Sequence, residues 1–412
     1  MDAIEIDPQR VICQLRELAA FGRCGTGVDR RALTQADLDA RRWLIEQMRA
    51  AGLESCIDAV GNVVGRTPHA RRIVVGSHTD TVPKGGWLDG ALGVIAGLEA
   101  ARAVASDPGR FQVGVEVISF SDEEGRFHPF LGSRSFCAEA DDQSFQGQSD
   151  GQGSTVGGCL SMFPEAVVPP ARLDRNQHLA FLELHIEQGP VLEASGVNLG
   201  VVTAIVGVRQ ARVTFVGQAN HAGTTPMALR RDAAKTLYNF AVDWSRACKE
   251  LAAPTTVWNL GQVSVDPGVA NVVAGRAVGI CQYRDVDAGR LERITAALED
   301  CARTAAAACG TEAKIELMYS SQPTGMDPSL MRILADCAVR AGATCSEMPS
   351  GAGHDAMILG RYVPAGMLFV PSRNGLSHSI EEDTSTEDLC RGISIFGDVV
   401  KKLCDRPWTV NR

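Results

Sequence analysis

Short apolar runs and helical periodicities alternate along the first two hundred residues. Ala36, Ala40, Trp43, Leu44, Met48 and Ala51 recur at three- and four-residue spacing. That rhythm predicts an amphipathic helix packed on a sheet, with Gly52 ending it. Thr34, followed three residues later by Asp37, has the form of a capping box at its start. Ile73, Val74 and Val75 make a short, wholly apolar run, the mark of a parallel strand buried on both faces. Residues 91–105 follow as an unbroken helix former. Phe111 to Phe120 and Leu179 to His185 predict two further strands. Residues 141–175, rich in Gln, Ser, Gly, Asp and Pro, read as loop and short helix.

The rhythm then changes. Ala211 to Gly217 alternates like a half-buried strand, and Leu229 to Leu251 predicts a long helix. Val257 to Val265 and Ala277 to Tyr283 predict strands, Arg290 to Ala308 a helix, and Lys314 to Met318 a strand. That βαββαβ order is the ferredoxin-like split unit. Beyond it, a helix over 328–341, a strand from Ala365 to Val370 and a closing helix from Glu387 to Leu403 return to the earlier style. The expected fold is therefore an α/β catalytic domain with an inserted ferredoxin-like domain. Its boundaries are 1–208 for the first catalytic segment, 209–324 for the insertion and 325–412 for the second catalytic segment. A chain of 412 residues exceeds the size at which single cores divide, which agrees with two domains.

Composition narrows the partners. Apolar residues make up 45% and charged residues 22%, the balance of an ordinary globular protein. A net charge of −9 argues against nucleic acid or an anionic membrane surface. Thirteen cysteines include no Cys-x-x-Cys pair, so they suit small buried side chains in a reducing cytosol better than a zinc ribbon. The first residues carry neither a basic nor an apolar leader segment, and no apolar run has the length of a membrane helix. A cytoplasmic location is expected.

Candidate chemistry collects at strand ends. The loop Gly76-Ser-His-Thr-Asp-Thr-Val-Pro-Lys-Gly-Gly-Trp-Leu-Asp-Gly90 joins a strand to a helix, and open α/β sheets place ligands in such crevices. It delivers His78, Asp80 and Asp89. Asp80 is placed to hold the second ring nitrogen of His78. Alternatively, Asp89 caps the helix and His78 is a plain loop residue. Glu123 and Glu124 end the next strand, His185 the one after, and His378 stands in a loop of the last segment. His69, His128 and His178 look scattered. His78, Glu124, His185 and His378 supply four terminal donors, and Asp89 is suited to bridge two ions ~4 Å apart. The mixed nitrogen and oxygen set fits two divalent ions, Zn or Mn, Co or Ni. Glu123 then stays free to take a proton from water and pass it to a leaving nitrogen. The competing reading of the acidic pair is a solvated turn.

These motifs resemble those of a known family. The loop just quoted, Asp122-Glu-Glu-Gly, His185-Ile-Glu-Gln-Gly-Pro, Asn220-His-Ala-Gly-Thr-Thr-Pro-Met, Ser350-Gly-Ala-Gly-His-Asp-Ala-Met and Gly375-Leu-Ser-His-Ser run in order along the chain. Together they resemble the hydantoinase/carbamoylase-type amidases, a branch of the binuclear aminoacylase and carboxypeptidase superfamily. That branch holds N-carbamoyl-L-amino acid hydrolases, allantoate amidohydrolases, ureidoglycolate hydrolases and β-ureidopropionases. The resemblance implies His78, Asp89, Glu124, His185 and His378 as metal ligands and Glu123 as general base. It makes His221, on the inserted lid, the group that stabilises the tetrahedral oxyanion. Asn271 and Arg284 are implied to hold a substrate carboxylate, and Arg209 and Gln188 to touch substrate. For Arg284 the plainer alternative is a surface pair with Asp285 or Asp287. His354 matches a motif but has no assigned chemistry beyond a structural place in its loop. One departure stands out: the family commonly has an Asp just before the lid-strand arginine, where this chain reads Gln282-Tyr283-Arg284-Asp285.

The expected activity is removal of the carbamoyl group from an N-carbamoyl-L-amino acid, giving the amino acid, ammonia and carbon dioxide. Allantoate amidohydrolase is the alternative, with ureidoglycolate or β-ureidopropionate hydrolysis and a peptidase or deacylase behind it. The expected partners are a small ureido substrate bearing a carboxylate and a second copy of the chain. A homodimer through the lid domain is implied, with His221 serving the partner's metals. No nucleic acid or membrane is expected.

Overall fold

The computed structural model describes residues 5–139, 142–163 and 169–405. Its contacts divide the chain into two compact units, Met1–Thr203 with Gly325–Arg412 and, between them, Ala204–Thr324.

The first unit is built on a twisted sheet with a parallel centre. Its strands are β1 (Glu54–Ile57), β2 (Val63–Arg66), β3 (Arg72–His78), β4 (Gly114–Phe120), β5 (His178–Ile186) and β6 (Leu199–Ile205). In the inserted unit follow β7 (Gly207–Val216), β8 (Val257–Asp266), β9 (Arg276–Asp285) and β10 (Glu312–Ser320). The chain returns to the first sheet with β11 (Cys345–Ser350) and β12 (Ala365–Val370). The order across that sheet is β6-β12-β5-β3-β4-β2-β1, with β11 against β6. β12, β5, β3 and β4 are mutually parallel; β2 and β6 pair antiparallel at the flanks. After β3 the chain adds β4 on one side and β5 on the other, so the crevice beyond their C-terminal ends is a switch point.

The helices are α1 (Pro8–Leu18), α2 (Gln35–Ala50), α3 (Ala91–Ala105), α4 (Ala233–Leu251), α5 (Ala288–Cys309), α6 (Pro328–Arg340) and α7 (Thr386–Asp405). α3 is buried almost all round, which is why it is nearly free of charge. Gly97 lets α3 approach the sheet closely: a Cβ there would lie 2.9 Å from Val75. α2 departs from its pattern. Thr34 makes no side-chain cap, and its hydroxyl donates to the Arg31 carbonyl instead. Asp37 accepts from the Leu33 amide and from Arg41 rather than closing a capping box. The buried face of α2 runs Asp37, Leu38, Arg41, Leu44, Ile45, Met48, two charged residues included.

The inserted unit has its own core under one face of the sheet β8-β9-β7-β10, covered by α4 and α5. Chain order gives β7-α4-β8-β9-α5-β10, the split βαββαβ arrangement. Among the described residues, no helix is long and apolar enough to cross a membrane. All thirteen cysteines are free thiols.

At the end of the first sheet remote from the ligand loops, Glu116 of β4 is fully buried. It accepts Nε of Arg66 at 2.9 Å, Nε of Arg72 at 3.0 Å and Nε2 of His178 at 3.2 Å. Burial pushes its carboxyl up, but the His178 bond and the Arg66 charge outweigh that and bring it down to about 2 from 4.5. So His178 is no scattered histidine; it ties β5 to β4. A carboxylate depressed in the folded state contributes stability above its unfolded value and loses it as pH falls. The contribution, on the order of 3 kcal/mol, is complete above pH 4.5 and drains away toward pH 2. Melting midpoints of the native chain and Glu116→Gln should therefore converge between pH 6 and pH 2.5. A gap independent of pH contradicts the network.

Candidate metal centre

His78 and His185 sit where buried strands stop, Glu123 and Glu124 just beyond another, Asp89 before the start of α3 and His378 in the loop ahead of α7. His78 is the last residue of β3, and its Nδ1 donates to the Asp80 backbone carbonyl at 2.9 Å. The Asp80 carboxylate, expected in that place, stands 4.0 Å off and uses Oδ2 to accept the Glu124 amide at 3.3 Å. The turn curls so that the carbonyl reaches the ring first. His185, near the end of β5, is held the same way by the Ile186 carbonyl at 2.8 Å. With Nδ1 engaged by a carbonyl in both rings, both Nε2 atoms face inward.

They face Asp89. Its Oδ1 is 3.1 Å from Nε2 of His185 and 3.9 Å from Nε2 of His78. Its Oδ2 is 3.3 Å from Nε2 of His378, which in turn lies 3.7 Å from Glu124. Of four groups of three donors whose atoms lie within 4.8 Å of one another among the described residues, two share Asp89, His78–Asp89–His185 and Asp89–Glu124–His378; the others are His78–Glu123–Glu124 and Glu183–His185–His354. Asp89 turns one oxygen toward each of the two groups that share it. It does not cap α3, whose N-terminus has no side-chain cap. Gly90 follows at φ +64, and a Cβ there would strike the His78 ring at 2.4 Å.

The acidic turn is shaped by Asp122. Its backbone is left-handed at φ 54, and its carboxylate accepts the amides of Arg126, Phe127 and His128. That turn presents Glu123 and Glu124 to the crevice instead of to solvent. Glu123 Oε2 lies 3.6 Å from Nε2 of His78. Burial and then the charge of Glu124 push its carboxyl far up; burial and then Asp89 do the same to Glu124. Crowded carboxyls that repel one another, beside inward-facing imidazole nitrogens, form a donor set suited to divalent cations.

Several residues support the site, and two of them, Glu382 and Glu183, were not legible as motifs. Glu382, four residues past His378, accepts the amides of Leu88 and Asp89 at 3.1 and 3.0 Å and the Ser377 hydroxyl at 2.8 Å. Burial, then Asp89, lifts it to about 7. Gly86 leaves room for it, since a Cβ would lie 1.8 Å from its Oε1. Glu183, a lone acid in an apolar strand, takes the Ser77 hydroxyl at 2.6 Å and the Ala356 amide at 3.1 Å beneath the site. His354 packs edge-on to His185 with ring centroids 4.5 Å apart and bonds Ser350. Gln188, in a left-handed turn at φ 58, donates to Asp89 Oδ2 at 3.0 Å.

The remaining candidates belong to the inserted unit. His221 is exposed, and the amides of Gly223 and Thr224 donate to its Nδ1 at 3.0 and 3.2 Å. A neutral ring so held carries its proton on Nε2. Residues 220–221 pair with Val272–Val273, which brings Asn271 beside His221; the Asn271 carbonyl accepts the Ala222 amide. Arg284 and Gln282 share the face of the sheet away from the helices, and Gln282 Oε1 accepts both Nε and Nη2 of Arg284. Gln282 thus orients the guanidinium. Asp285 pairs with Arg290 at 2.8 Å instead. Arg209 lies on the opposite, helix-covered face, buried, with its guanidinium on the Ser321 carbonyl.

The model for peptidase family M20/M25/M40 matches residues 74–402. An N-carbamoyl-L-amino-acid amidohydrolase of Paenarthrobacter aurescens is 35% identical, over 96% of this chain and 98% of that protein. An allantoate amidohydrolase of Escherichia coli (strain K12) is 36% identical, over 94% and 95%. Among solved structures, an amidase of the hydantoinase/carbamoylase family from Burkholderia phymatum matches with a TM-score of 0.90 and 42% identity, covering 98% of this chain and 99% of that one.

Proposed function

The chain belongs to peptidase family M20/M25/M40, to its hydantoinase/carbamoylase amidohydrolases, and from that premise we propose that it cleaves the carbamoyl C–N bond of N-carbamoyl-L-amino acids. The observation that carries the proposal is the pair of donor groups sharing Asp89, with Glu123 beside them. His78 and His185 on one side and Glu124 and His378 on the other would hold two divalent ions, with Asp89 between. Such ions, Zn or Mn, Co or Ni, polarise a ureido carbonyl and make water nucleophilic at neutral pH.

The chain's own groups supply the rest. Glu123, buried beside His78, takes a proton from water and returns it to the leaving nitrogen. Gln188 and Glu382 hold the Asp89 carboxylate and backbone, so the donor geometry is fixed before substrate arrives. His221, with Nε2–H outward, is a hydrogen-bond donor for the oxyanion. Arg284, oriented by Gln282, is a two-donor fork for the substrate carboxylate, and Asn271 is its neighbour in that role. The buried guanidinium of Arg209 instead pins the strand end.

Allantoate is the second reading, because relatives named for it stand at 36% identity, level with the carbamoylase at 35%. Both substrates offer a ureido group beside a carboxylate. Ammonia release from a panel of N-carbamoyl-L-amino acids, allantoate, ureidoglycolate and N-acyl amino acids decides between them. A carbamoyl amino acid should give the highest kcat/KM, and Glu123→Gln should lower kcat by about 10²–10⁴-fold while retaining bound metal. Preference for an acyl substrate, or full turnover in Glu123→Gln, contradicts the assignment.

We also propose the inserted unit as a dimer contact. Its edge strand β10 exposes Ile315, Leu317 and Met318, and α4 exposes Tyr238 and Val242. An edge strand with exposed apolar side chains among its charges (Glu312, Lys314, Glu316) can pair with a second copy. Light scattering should give twice the chain mass; a particle of single-chain mass contradicts it.

A further inference from the structure

β5 carries one acid among apolar neighbours. Phe181, Leu182, Leu184 and Ile186 are fully buried, and so is Glu183 in their midst. A carboxyl group in such a place costs folding free energy unless its oxygens are bonded. Each oxygen has a partner. The Ser77 hydroxyl donates to Oε1 at 2.6 Å, and the Ala356 amide donates to Oε2 at 3.1 Å. Neither donor is a cation, so the acid does not close an ion pair through these bonds.

Both donors stand beside residues of the candidate centre. Ser77 immediately precedes His78 at the end of β3. Glu183 itself is two residues before His185, on the same face of β5. Ala356 lies two residues after His354, in the short helix Asp355–Leu359. His354 is buried, bonded to Ser350 at 2.8 Å, and packed edge-on against His185 with ring centroids 4.5 Å apart. Donor atoms of Glu183, His185 and His354 lie within 4.8 Å of one another. One carboxylate thus joins the strand end of His78, the strand of His185 and the segment that walls the His185 ring. Neither of its bonds reaches the Glu124 turn or the His378 loop.

We propose that Glu183 is a positioning residue for one of the two candidate ion positions only, the one bounded by His78, Asp89 and His185. Through Ser77 it fixes how far His78 stands from His185, and through Ala356 it keeps His354 against the His185 ring. The position bounded by Asp89, Glu124 and His378 is set without it. The inference rests on the metal reading above. The plain alternative is that Glu183 only fastens the Asp355–Leu359 helix to the sheet. In that case its loss lowers the melting point and does not tell one ion position from the other.

The test uses the metal-free full-length chain in two backgrounds, His378→Ala and His78→Ala, titrated with Co²⁺ against a chromophoric chelator. The first keeps the donors His78, Asp89 and His185; the second keeps Asp89, Glu124 and His378. Glu183→Leu should weaken Co²⁺ binding by about 10–100-fold in the first background, the scale of outer-shell partners. In the second it should leave the affinity unchanged. Ser77→Ala should act in the same direction, and adding it to Glu183→Leu should cost nothing more, since both cut one contact. Glu183→Gln should restore the affinity and the visible Co²⁺ spectrum, because its oxygen can accept the Ala356 amide while its NH2 donates to the Ser77 hydroxyl. If Glu183→Leu does not fold, Ser77→Ala carries the comparison. If a background holds no ion alone, the two successive Co²⁺ affinities of the otherwise native chain are compared, and only one should fall. Equal losses at both positions, or no loss at the first, overturns the proposal. No Co²⁺ uptake by the native chain would instead overturn the metal reading itself.

Discussion

A carboxylate that must face two ways governs this molecule. Asp89 is 4% exposed, turns one oxygen to His78 and His185 and the other to His378, and sits among Glu123, Glu124 and Glu382. So many acids in a dry crevice repel one another, and the arrangement persists because each is held from behind. Glu382 takes the amides before and at Asp89, Gln188 takes its Oδ2, and carbonyls fix the tautomers of His78 and His185. Glycine at 86 and 90 is required by the same crowding, because a methyl group at either would enter Glu382 or His78. Cations are the natural complement of such a site, and most of the surrounding polar structure serves to keep the donors aimed.

Backbone strain marks the same places. Among the non-glycine residues with positive φ are Asp122, Gln188 and His378, one in each of three loops that carry candidate ligands. Such conformations cost free energy and persist where the surroundings over-determine them. Here the surroundings are a parallel sheet whose strands β3, β4 and β5 end at one level, and a helix, α3, packed closely by its glycines. The rigid centre of the sheet carries the strain, and the loops carry the donors.

Much of this was legible in the chain because the candidate ligands punctuate apolar runs. His78 and His185 close strands, and Glu123–Glu124 and Asp89 stand beside Gly. The fold class was legible for the same reason, through the shift from buried-strand runs to alternating ones after residue 210. What escaped was everything that depends on distant partners. The hydrophobic face of α2 left out Asp37 and Arg41, yet both are buried, because each neutralises the other. Thr34 and Asp37 looked like a cap, but Asp37 had a stronger partner four residues on. Asp80 was expected to hold His78 by its carboxylate and does so by its carbonyl. Glu382 and Glu183 make their bonds across about 300 and 100 residues, beyond any local pattern. Arg209 and Arg284 lie on opposite faces of one sheet, which strand alternation shows only once the register of β7 and β9 is known.

The central claim is that Asp89 joins two ions in one site. Electron paramagnetic resonance of the chain loaded with two equivalents of Mn²⁺ tests it most directly, because ions ~4 Å apart across a shared carboxylate are magnetically coupled. The account predicts a coupled dimanganese spectrum that collapses to weak, isolated six-line signals in Asp89→Ala. Isolated six-line signals from the native chain, with both ions shown to be bound, contradict it.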